Sequence, residues 1–282
     1  MSQSPPAGPD FAAPGFVGCY RHPDRMTGIS CQRCRRPICG ECMQPASVGF
    51  QCPKCVSGGG RVRQPKTTFG AVLKTSGGNM TKILMTVLAV VYVLDLVTRG
   101  LLSGLLIMAS NFVYLGQFWR LLTGALISGS LIGLLMNLLV LWIAGRAIES
   151  ELGGWRFAAL YFAGGLGGAT IVFLLAPSAR VVVTSGAAVI GLLAANAVGK
   201  LKTHEDVRAD IGLLILLVLY NVLINFSGMG WLSLIGGIVV GALVGYLLAY
   251  APRRSRDVIQ VVGLLGVMLV CLMAVVAKVA IV

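Results

Sequence analysis

The strongest constraint on this chain is a series of seven long apolar runs that follow residue 82. They lie at residues 83–98, 121–144, 156–176, 181–199, 211–228, 231–250 and 258–282. A helix needs ~20 mostly apolar residues to cross the hydrocarbon core of a bilayer, and these runs approach or exceed that length. Charged residues make up 12% of the chain, about half their usual share in a soluble domain. The pattern therefore predicts an all-α polytopic membrane protein with seven transmembrane helices.

Polar residues within the apolar region are few. Ser, Gly and Asn interrupt the apolar stretch at 100–118, which we therefore interpret as loop structure at the membrane interface. Asp95 lies near the outer end of the first span, where we expect it to cap or pair. Asn196, Asn221 and Asn225 are expected to form interhelical hydrogen bonds. A channel or transporter has little support, because charged residues inside the membrane usually mark a pathway and only Asp95 is clearly one.

The distribution of basic residues predicts the orientation. With the N-terminus in the cytoplasm, 19 of the 23 Lys and Arg fall on the cytoplasmic side, and only Arg99, Arg120, Arg180 and Lys278 fall outside. Cytoplasmic loops of membrane proteins carry this excess of positive charge. The sequence therefore predicts an integral protein of the plasma (cell) membrane, with a cytoplasmic N-terminus and the C-terminus outside.

Seven of the eight Cys lie close together near the N-terminus, and with one His they form four pairs, each with two residues between its members. The pairs are Cys19 and His22, Cys31 and Cys34, Cys39 and Cys42, and Cys52 and Cys55. Zinc binds four such ligands tetrahedrally, so four pairs predict two structural zinc ions. A reducing cytoplasm favours metal over disulfides. The spacers of 8, 4 and 9 residues favour an interleaved arrangement, first pair with third and second with fourth. This resembles the B-box and RING classes of cross-braced zinc domains.

Composition then divides the chain into five segments. Residues 1–16 are predicted to be a disordered tail rather than a signal peptide, because they lack an apolar core. Residues 17–57 form the zinc-binding domain, and residues 58–82 a basic linker. Residues 83–250 form a transmembrane core. Residues 251–282 form a cytoplasmic loop and the seventh transmembrane helix.

A series of motifs in a fixed order marks the transmembrane core. They are Phe118-Trp119-Arg120-Leu121-Leu122-Thr123, Asn137, Gly145-Arg146-Ala147-Ile148-Glu149, Leu152-Gly153-Gly154-Trp155-Arg156-Phe157, Tyr161, Gly191-Leu192 and Gly236-Gly237. The core resembles the rhomboid family of intramembrane serine proteases. The resemblance implies a six-helix core, in which Trp119, Arg120, Glu149, Gly237 and Gly241 occupy structural positions of the family. Glycines 237, 241 and 245 also place a flat stripe on the sixth span, which predicts close packing against the fourth.

The resemblance further implies a serine nucleophile at the start of the fourth span and a histidine base on the sixth. Counting back from Gly191-Leu192 places Gly186 at the serine position. Counting back from Gly236-Gly237 places Leu234 at the histidine position. Ser185 lies one residue early, and one residue is a helical rotation of about 100°, so we expect its side chain to face elsewhere.

The second span of the family supplies an asparagine and histidines that help hold the oxyanion. Asn137 is retained here, but Gly133 and Ser128 occupy the histidine positions. The chain has only two His. His22 is a zinc-ligand candidate, and His204 follows Ser185 by 19 residues, roughly 28 Å along a helix.

These departures favour a rhomboid-like protein without proteolytic activity that binds transmembrane client proteins in the bilayer. A cytoplasmic protein partner is expected for the zinc unit, and no nucleic acid is expected as a partner. The alternative is an active intramembrane serine endopeptidase that uses Ser185 as its nucleophile. A serine needs a base within hydrogen-bond reach, and Lys278 is the one lysine expected on the outer side.

Overall fold

The computed structural model describes residues 16–46, 48–58, 67, 69, 79–176, 181–224, 230–252 and 256–281. The chain divides into two compact units, residues 1–63 and 64–282. The predicted tail up to residue 15, most of the basic linker, Arg180 and Asn225 lie outside the described residues.

Short elements build the N-terminal unit. Strand β1 (Val17–Gly18) pairs with β2 (Met26–Thr27), β3 (Gln44–Pro45) pairs with β4 (Phe50–Gln51), and helix α1 spans Pro53–Ser57. Its buried core contains five cysteines and a single other apolar side chain, Ile38. Such a core is too small to hold a fold by apolar burial, so the cysteine side chains must supply the cross-links.

Helices dominate the second unit. They are α2 (Asn79–Val97), α3 (Leu101–Leu106), α4 (Ser110–Tyr114), α5 (Arg120–Thr123), α6 (Leu131–Val140), α7 (Arg146–Leu152), α8 (Gly154–Leu175), α9 (Ser185–Thr203), α10 (Arg208–Ile224), α11 (Gly230–Tyr250) and α12 (Arg256–Ile281). A 3₁₀ turn at Gly124–Leu126 precedes α6, and a π-helical stretch at Leu141–Gly145 joins α6 to α7. The short strands β5 (Met108–Ala109) and β6 (Val181–Val182) pair antiparallel.

In the described part of the chain, five helices are long and apolar enough to cross a membrane by themselves: α2, the joined α6–α7, α8, α11 and α12. The other two predicted spans coincide with α9 and α10. Helix α9 needs less apolar surface because its neighbours enclose it, with 12 of its 19 residues buried. The predicted all-α polytopic fold is confirmed.

The predicted second span at 121–144 is wrong in position. The chain forms α5 and the 3₁₀ turn there, and the membrane helix runs over Leu131–Leu152 instead. Ser130 sets the start, because its hydroxyl accepts a hydrogen bond from the Gly133 N–H and caps the helix. The fourth span also begins later than predicted, at Ser185, because residues 181–182 form β6.

The predicted loop structure at 100–118 is confirmed, and buried polar bonds hold it. Asp95 accepts a 2.6 Å hydrogen bond from the Ser103 N–H, so it caps α3 as expected. The buried Arg120 guanidinium donates to the Gly104 and Ile107 carbonyls at 2.8 and 3.1 Å. Because Arg120 begins α5, these bonds tie the helix to the preceding loop.

Two of the expected polar contacts involve asparagines. Asn196 on α9 donates to the Asp210 carboxylate on α10 at 2.9 Å, which confirms an interhelical bond. The Asn221 amide instead donates to Leu217 of its own helix at 2.9 Å, so the interhelical expectation for its side chain is wrong. Asn221 borders a cavity opposite Gly186 of α9, which has no side chain to bond.

Two charged residues on either side of the junction between α7 and α8 anchor other helices. The Glu149 carboxylate accepts bonds from the Met80 N–H at 3.0 Å and from the N–H and hydroxyl of Thr81 at 2.7 Å. A carboxylate there satisfies backbone donors at the start of α2 that have no partner within the helix. The buried Arg156 at the start of α8 donates to the Gln260 side chain of α12 at 2.7 Å.

Glycines allow α11 to lie directly against two helices. A methyl group added at Gly237 or Gly241 would overlap the α9 backbone at Ala187 or Gly191, and one at Gly236 would overlap α8 at Gly167. The predicted packing of the sixth span on the fourth is therefore confirmed, and it extends to the third. Small residues allow such backbone contact between membrane helices.

We predict that Gly241→Ala destabilises the bundle, whereas Gly266→Ala on α12 does not. The added methyl at 241 would displace α9, and overpacking of this kind costs about 1–3 kcal/mol. Position 266 has nothing within 4 Å of the added carbon. Thermal unfolding of the two variants in detergent checks this. Equal unfolding temperatures would contradict the packing argument.

Candidate functional site

A cavity of about 270 Å³ lies where α6, α9, α10 and α11 meet. Small residues and neutral polar groups line it, and none of the described lining residues carries a charge. The polar side chains are Ser128, Ser130, Asn137, Ser185, Tyr220, Asn221 and Ser233. The cavity is thus polar, neutral and held in the transmembrane unit.

The structure brings together the positions that the family resemblance selected. Gly186, Leu234, Gly133 and Ser128 all line this cavity, and Asn137 lines it with them. They come from three separate segments of the sequence, so their convergence is a tertiary result. The positions that the resemblance selected therefore meet at one cavity.

Ser185 also faces this cavity, which corrects the expectation that it would face elsewhere. Its Oγ accepts a hydrogen bond from the Asn137 Nδ2 at 3.1 Å, and both side chains are buried. The cavity surrounds the N-terminus of α9, so the successive residues Ser185 and Gly186 both line it. In the middle of a helix, a rotation of about 100° would point these two residues in different directions. Helix α9 instead begins at this serine, so both residues can border the same cavity.

A partner that could take the Ser185 proton is missing from the described residues around the cavity. Helix α9 runs unbroken from Ser185, and His204 caps its opposite end. Lys278 donates to the Phe173 and Leu174 carbonyls at 2.8 and 3.0 Å, so it anchors α12 to the end of α8. A serine hydroxyl is a weak nucleophile without an adjacent base, and the geometry supplies Asn137 as a donor instead.

Most polar groups around the cavity are already bonded within their own helices. Ser130 caps α6, Ser233 donates to the Gly230 carbonyl at 2.6 Å, and Asn221 bonds within α10. The buried Ser128 hydroxyl differs, because it has no hydrogen-bond partner among the described residues. A buried hydroxyl without a partner is costly, so Ser128 is available to a ligand.

Two clusters of possible metal ligands form a second site, in the N-terminal unit. They are Cys19, His22, Cys39 and Cys42, and Cys31, Cys34, Cys52 and Cys55. Within each cluster the ligand atoms lie within 4.8 Å of one another. The structure thus brings together the first pair with the third and the second with the fourth, the interleaved arrangement that the spacers favour. Each cluster offers four ligands, as a closed tetrahedral site requires.

Backbone N–H groups donate hydrogen bonds to cysteine sulfur atoms in these clusters. Cys52 N–H donates to the Cys31 sulfur, and Cys55 N–H donates to the Cys52 sulfur, both at 3.3 Å. Burial alone would raise the pKa of Cys31, but hydrogen bonds from backbone N–H groups outweigh it and lower that pKa to about 6. Because the thiolate is the metal ligand, these bonds favour metal binding.

We predict two bound metal ions per chain in the purified protein and one in Cys42→Ala, because that variant removes a ligand from one of the two clusters. Cys271 lies on α12 and belongs to neither cluster, so Cys271→Ala is the matched control and is expected to retain both ions. Elemental analysis of the metal content, normalised to protein, measures this. A full complement of metal in Cys42→Ala would rule out the proposed ligand set.

Sequence reasoning missed the contribution of α10 to the cavity. Tyr220 and Asn221 line it, but no spacing in the α10 sequence distinguishes them from other polar residues in an apolar helix. The Gln260 side chain was also missed, although it is fully buried and bonds to Arg156 and to the Phe69 and Leu248 carbonyls. A lone glutamine in an apolar run was the available signal.

The fold and the cavity define a class: a polytopic helical membrane protein with a small polar cavity at the junction of its core helices. Residues 115–251 match the family described as Rhomboid domain. Three relatives share this region. "RHOMBOID-like protein 5" of Arabidopsis thaliana is 29% identical over 49% of this chain and 46% of its own length. "Rhomboid protease GluP" of Bacillus subtilis strain 168 is 30% identical over 48% of this chain and 28% of its own length. "RHOMBOID-like protein 4" of Arabidopsis thaliana is 33% identical over 48% of this chain and 35% of its own length.

Residues 115–251 therefore match a rhomboid domain, and the chain is similar to proteins of the rhomboid family. Its N-terminal Cys/His clusters fit a zinc-binding domain. The chain covers less than half of the length of each of these relatives.

Proposed function

We propose that this protein binds transmembrane segments of client proteins without cleaving them. The observation that carries the proposal is the cavity itself. It keeps the Asn137–Ser185 hydrogen bond, but Leu234 stands where the family resemblance places the base. Without a base the serine stays protonated, and the cavity acts as a polar binding pocket within the membrane.

The chemistry of the pocket supports a neutral polar ligand. The described residues of its lining carry no charge, and a charged group placed among them would lack a counter-ion, at high cost inside a bilayer. The Ser128 hydroxyl has no partner among the described residues and can bond an uncharged polar group. A client helix with a polar side chain or an unwound turn provides such a group.

One observation favours the alternative of an active serine endopeptidase. Ser185 is buried beside Asn137 in the cavity, rather than rotated away from it, and one relative is named a rhomboid protease. Proteolysis would still require a base from outside the described residues that line the cavity.

We expect no cleavage when the full-length protein in liposomes is given a transmembrane substrate that an active rhomboid protease cuts. The reason is the unactivated Ser185 hydroxyl. Product is measured on gels, with an active rhomboid in parallel liposomes as the positive control. Cleavage that disappears in Ser185→Ala would establish the enzyme instead and end the pseudoprotease proposal.

Binding of the same transmembrane segment should require an open cavity. Gly186→Leu fills the pocket and is expected to raise the dissociation constant at least about tenfold, the effect of losing ~1.4 kcal/mol of contact. Gly212→Leu is the matched control, because position 212 on α10 has nothing within 4 Å of an added carbon. Fluorescence energy transfer between labelled segment and protein in nanodiscs measures both constants. Equal constants for the two variants would place the binding site elsewhere.

The proposal extends to the metal and the membrane. We infer that the two clusters hold structural zinc, since all eight ligands are Cys or His in closed groups of four.

The excess of Lys and Arg supports a cytoplasmic N-terminal unit, an outside C-terminus and a plasma-membrane location. The segments 17–57, 58–82 and 83–250 remain our proposed domain, linker and core. A cytoplasmic protein partner of the zinc unit stays a prediction.

A further inference from the structure

We propose that one end of the N-terminal metal-binding unit docks on an anionic lipid surface. The docking end combines the turn of the β3–β4 hairpin, at Val48 and Phe50, with the turn between Cys31 and Cys34 and the arginines on it. Its ligand class is the negatively charged phospholipid headgroup. This assignment concerns a different surface from the transmembrane cavity and does not depend on the proposed client binding.

The hairpin turn presents apolar side chains to solvent. Val48 is 77% exposed and Phe50 is 40% exposed. The turn is well formed, with the Ala46 N–H donating to the Gly49 carbonyl at 3.0 Å. An exposed apolar tip on a unit with so small a core is costly in water and is suited to the boundary between headgroups and acyl chains.

The arginine-bearing turn lies directly beside this tip. The Gln32 N–H donates to the Phe50 carbonyl at 3.0 Å, which joins the two turns. Arg33 and Arg35 follow Gln32 and are exposed, and neither forms a salt bridge among the described residues. Apolar side chains and unpaired positive charge thus occur at the same end of the unit, the combination that binds anionic membranes.

The backbone at Arg35 provides independent support. Its φ is +59°, in the left-handed region where a glycine would fit without strain. The Arg35 N–H donates to the Cys31 carbonyl at 2.8 Å, so the metal-ligand turn imposes this conformation. An arginine at a position that favours glycine points to a role for its charge.

The exposed apolar surface of the β1–β2 pair does not share these properties. Val17 and Met26, on the β1–β2 pair, are 53% and 60% exposed. The arginine next to Met26, Arg25, forms a 2.6 Å salt bridge with Glu41, so its charge is neutralised. That surface therefore serves as the internal comparison.

The covalent chain supplies the reason why lipid is the favoured occupant. The chain from residue 59 onward joins the unit covalently to the membrane unit, where the Thr67 hydroxyl donates to the Glu151 carbonyl at 2.6 Å, and the sequence before Thr67 adds Arg61, Arg63 and Lys66 to the positive charge. Because this covalent connection keeps the unit near the bilayer, a weak surface affinity suffices. Each arginine near an anionic surface favours the bound state by about fivefold.

Hydrogen–deuterium exchange of the full-length protein in nanodiscs tests the assignment. The discs contain phosphatidylcholine alone or phosphatidylcholine with phosphatidylglycerol. Backbone amides of residues 46–51 and 32–36 are expected to exchange at least about tenfold more slowly in the anionic discs, from two arginines at about fivefold each. The difference should shrink as salt is added.

Matched variants separate docking from folding. Arg35→Gly removes the charge and relieves the backbone, so it should retain two metal ions and lose most of the protection. Val48→Ser should also lose most of the protection from exchange. The controls Arg21→Gln, on the turn of the other cluster, and Val17→Ser should keep that protection.

Equal exchange in the two lipid compositions would overturn the proposal, as would protection that survives Arg35→Gly and Val48→Ser. Protection that appears only after a cytoplasmic protein fraction is added, in either type of disc, would assign this end of the unit to a protein partner instead of lipid. Client binding through the cavity would be unaffected by any of these results.

Discussion

The membrane unit depends on the direct backbone contact of α11 with α8 and α9. Gly236 lies against Gly167 of α8, and Gly237 and Gly241 lie against Ala187 and Gly191 of α9, with no room for a side chain between them. In a bilayer, apolar burial drives helix association weakly, because lipid tails are as apolar as the helix surfaces. Close packing is the main source of stability. These three helices therefore form the fixed part of the bundle.

The cavity follows from that arrangement. Because α9 begins at Ser185 and is enclosed along its length by its neighbours, its N-terminus is held next to Asn137 of α6 and Leu234 of α11. The same geometry that would align a nucleophile and a base here aligns a serine with a leucine. Leu234 is 3% exposed, so it packs in the core at no cost for burying a titratable group. The cavity therefore needs no titratable group at position 234 to keep its shape.

The two units reach stability by opposite means. The membrane unit buries an extensive apolar core and joins its helices through a few buried polar contacts, such as Glu149 with Thr81 and Arg156 with Gln260. The N-terminal unit has Ile38 and its cysteines at the centre, and strands of two residues each. We propose that a metal held by the two Cys/His clusters orders this unit and its turns. Metal binding and lipid docking would therefore be linked in this unit.

The sequence by itself determined the membrane fold, the metal-ligand set and the departures from the protease pattern. Long apolar runs have few alternatives to spanning helices, and regular spacing of eight Cys and His ligands leaves little freedom in how a cation can be held. Residue identity alone established that Leu234 cannot act as a base. These features depend on local composition and spacing.

The tertiary structure decided where the second span begins, where Ser185 points and which residues of α10 border the cavity. The residues at 121–130 are apolar enough to be helical, but the contacts of β5 with β6 and the cap at Ser130 select a turn there instead. The Asn137–Ser185 bond joins residues 48 positions apart, and no periodicity reports such a contact. Helix ends and side-chain directions at a junction of four helices depend on packing, which the sequence of any one helix does not contain.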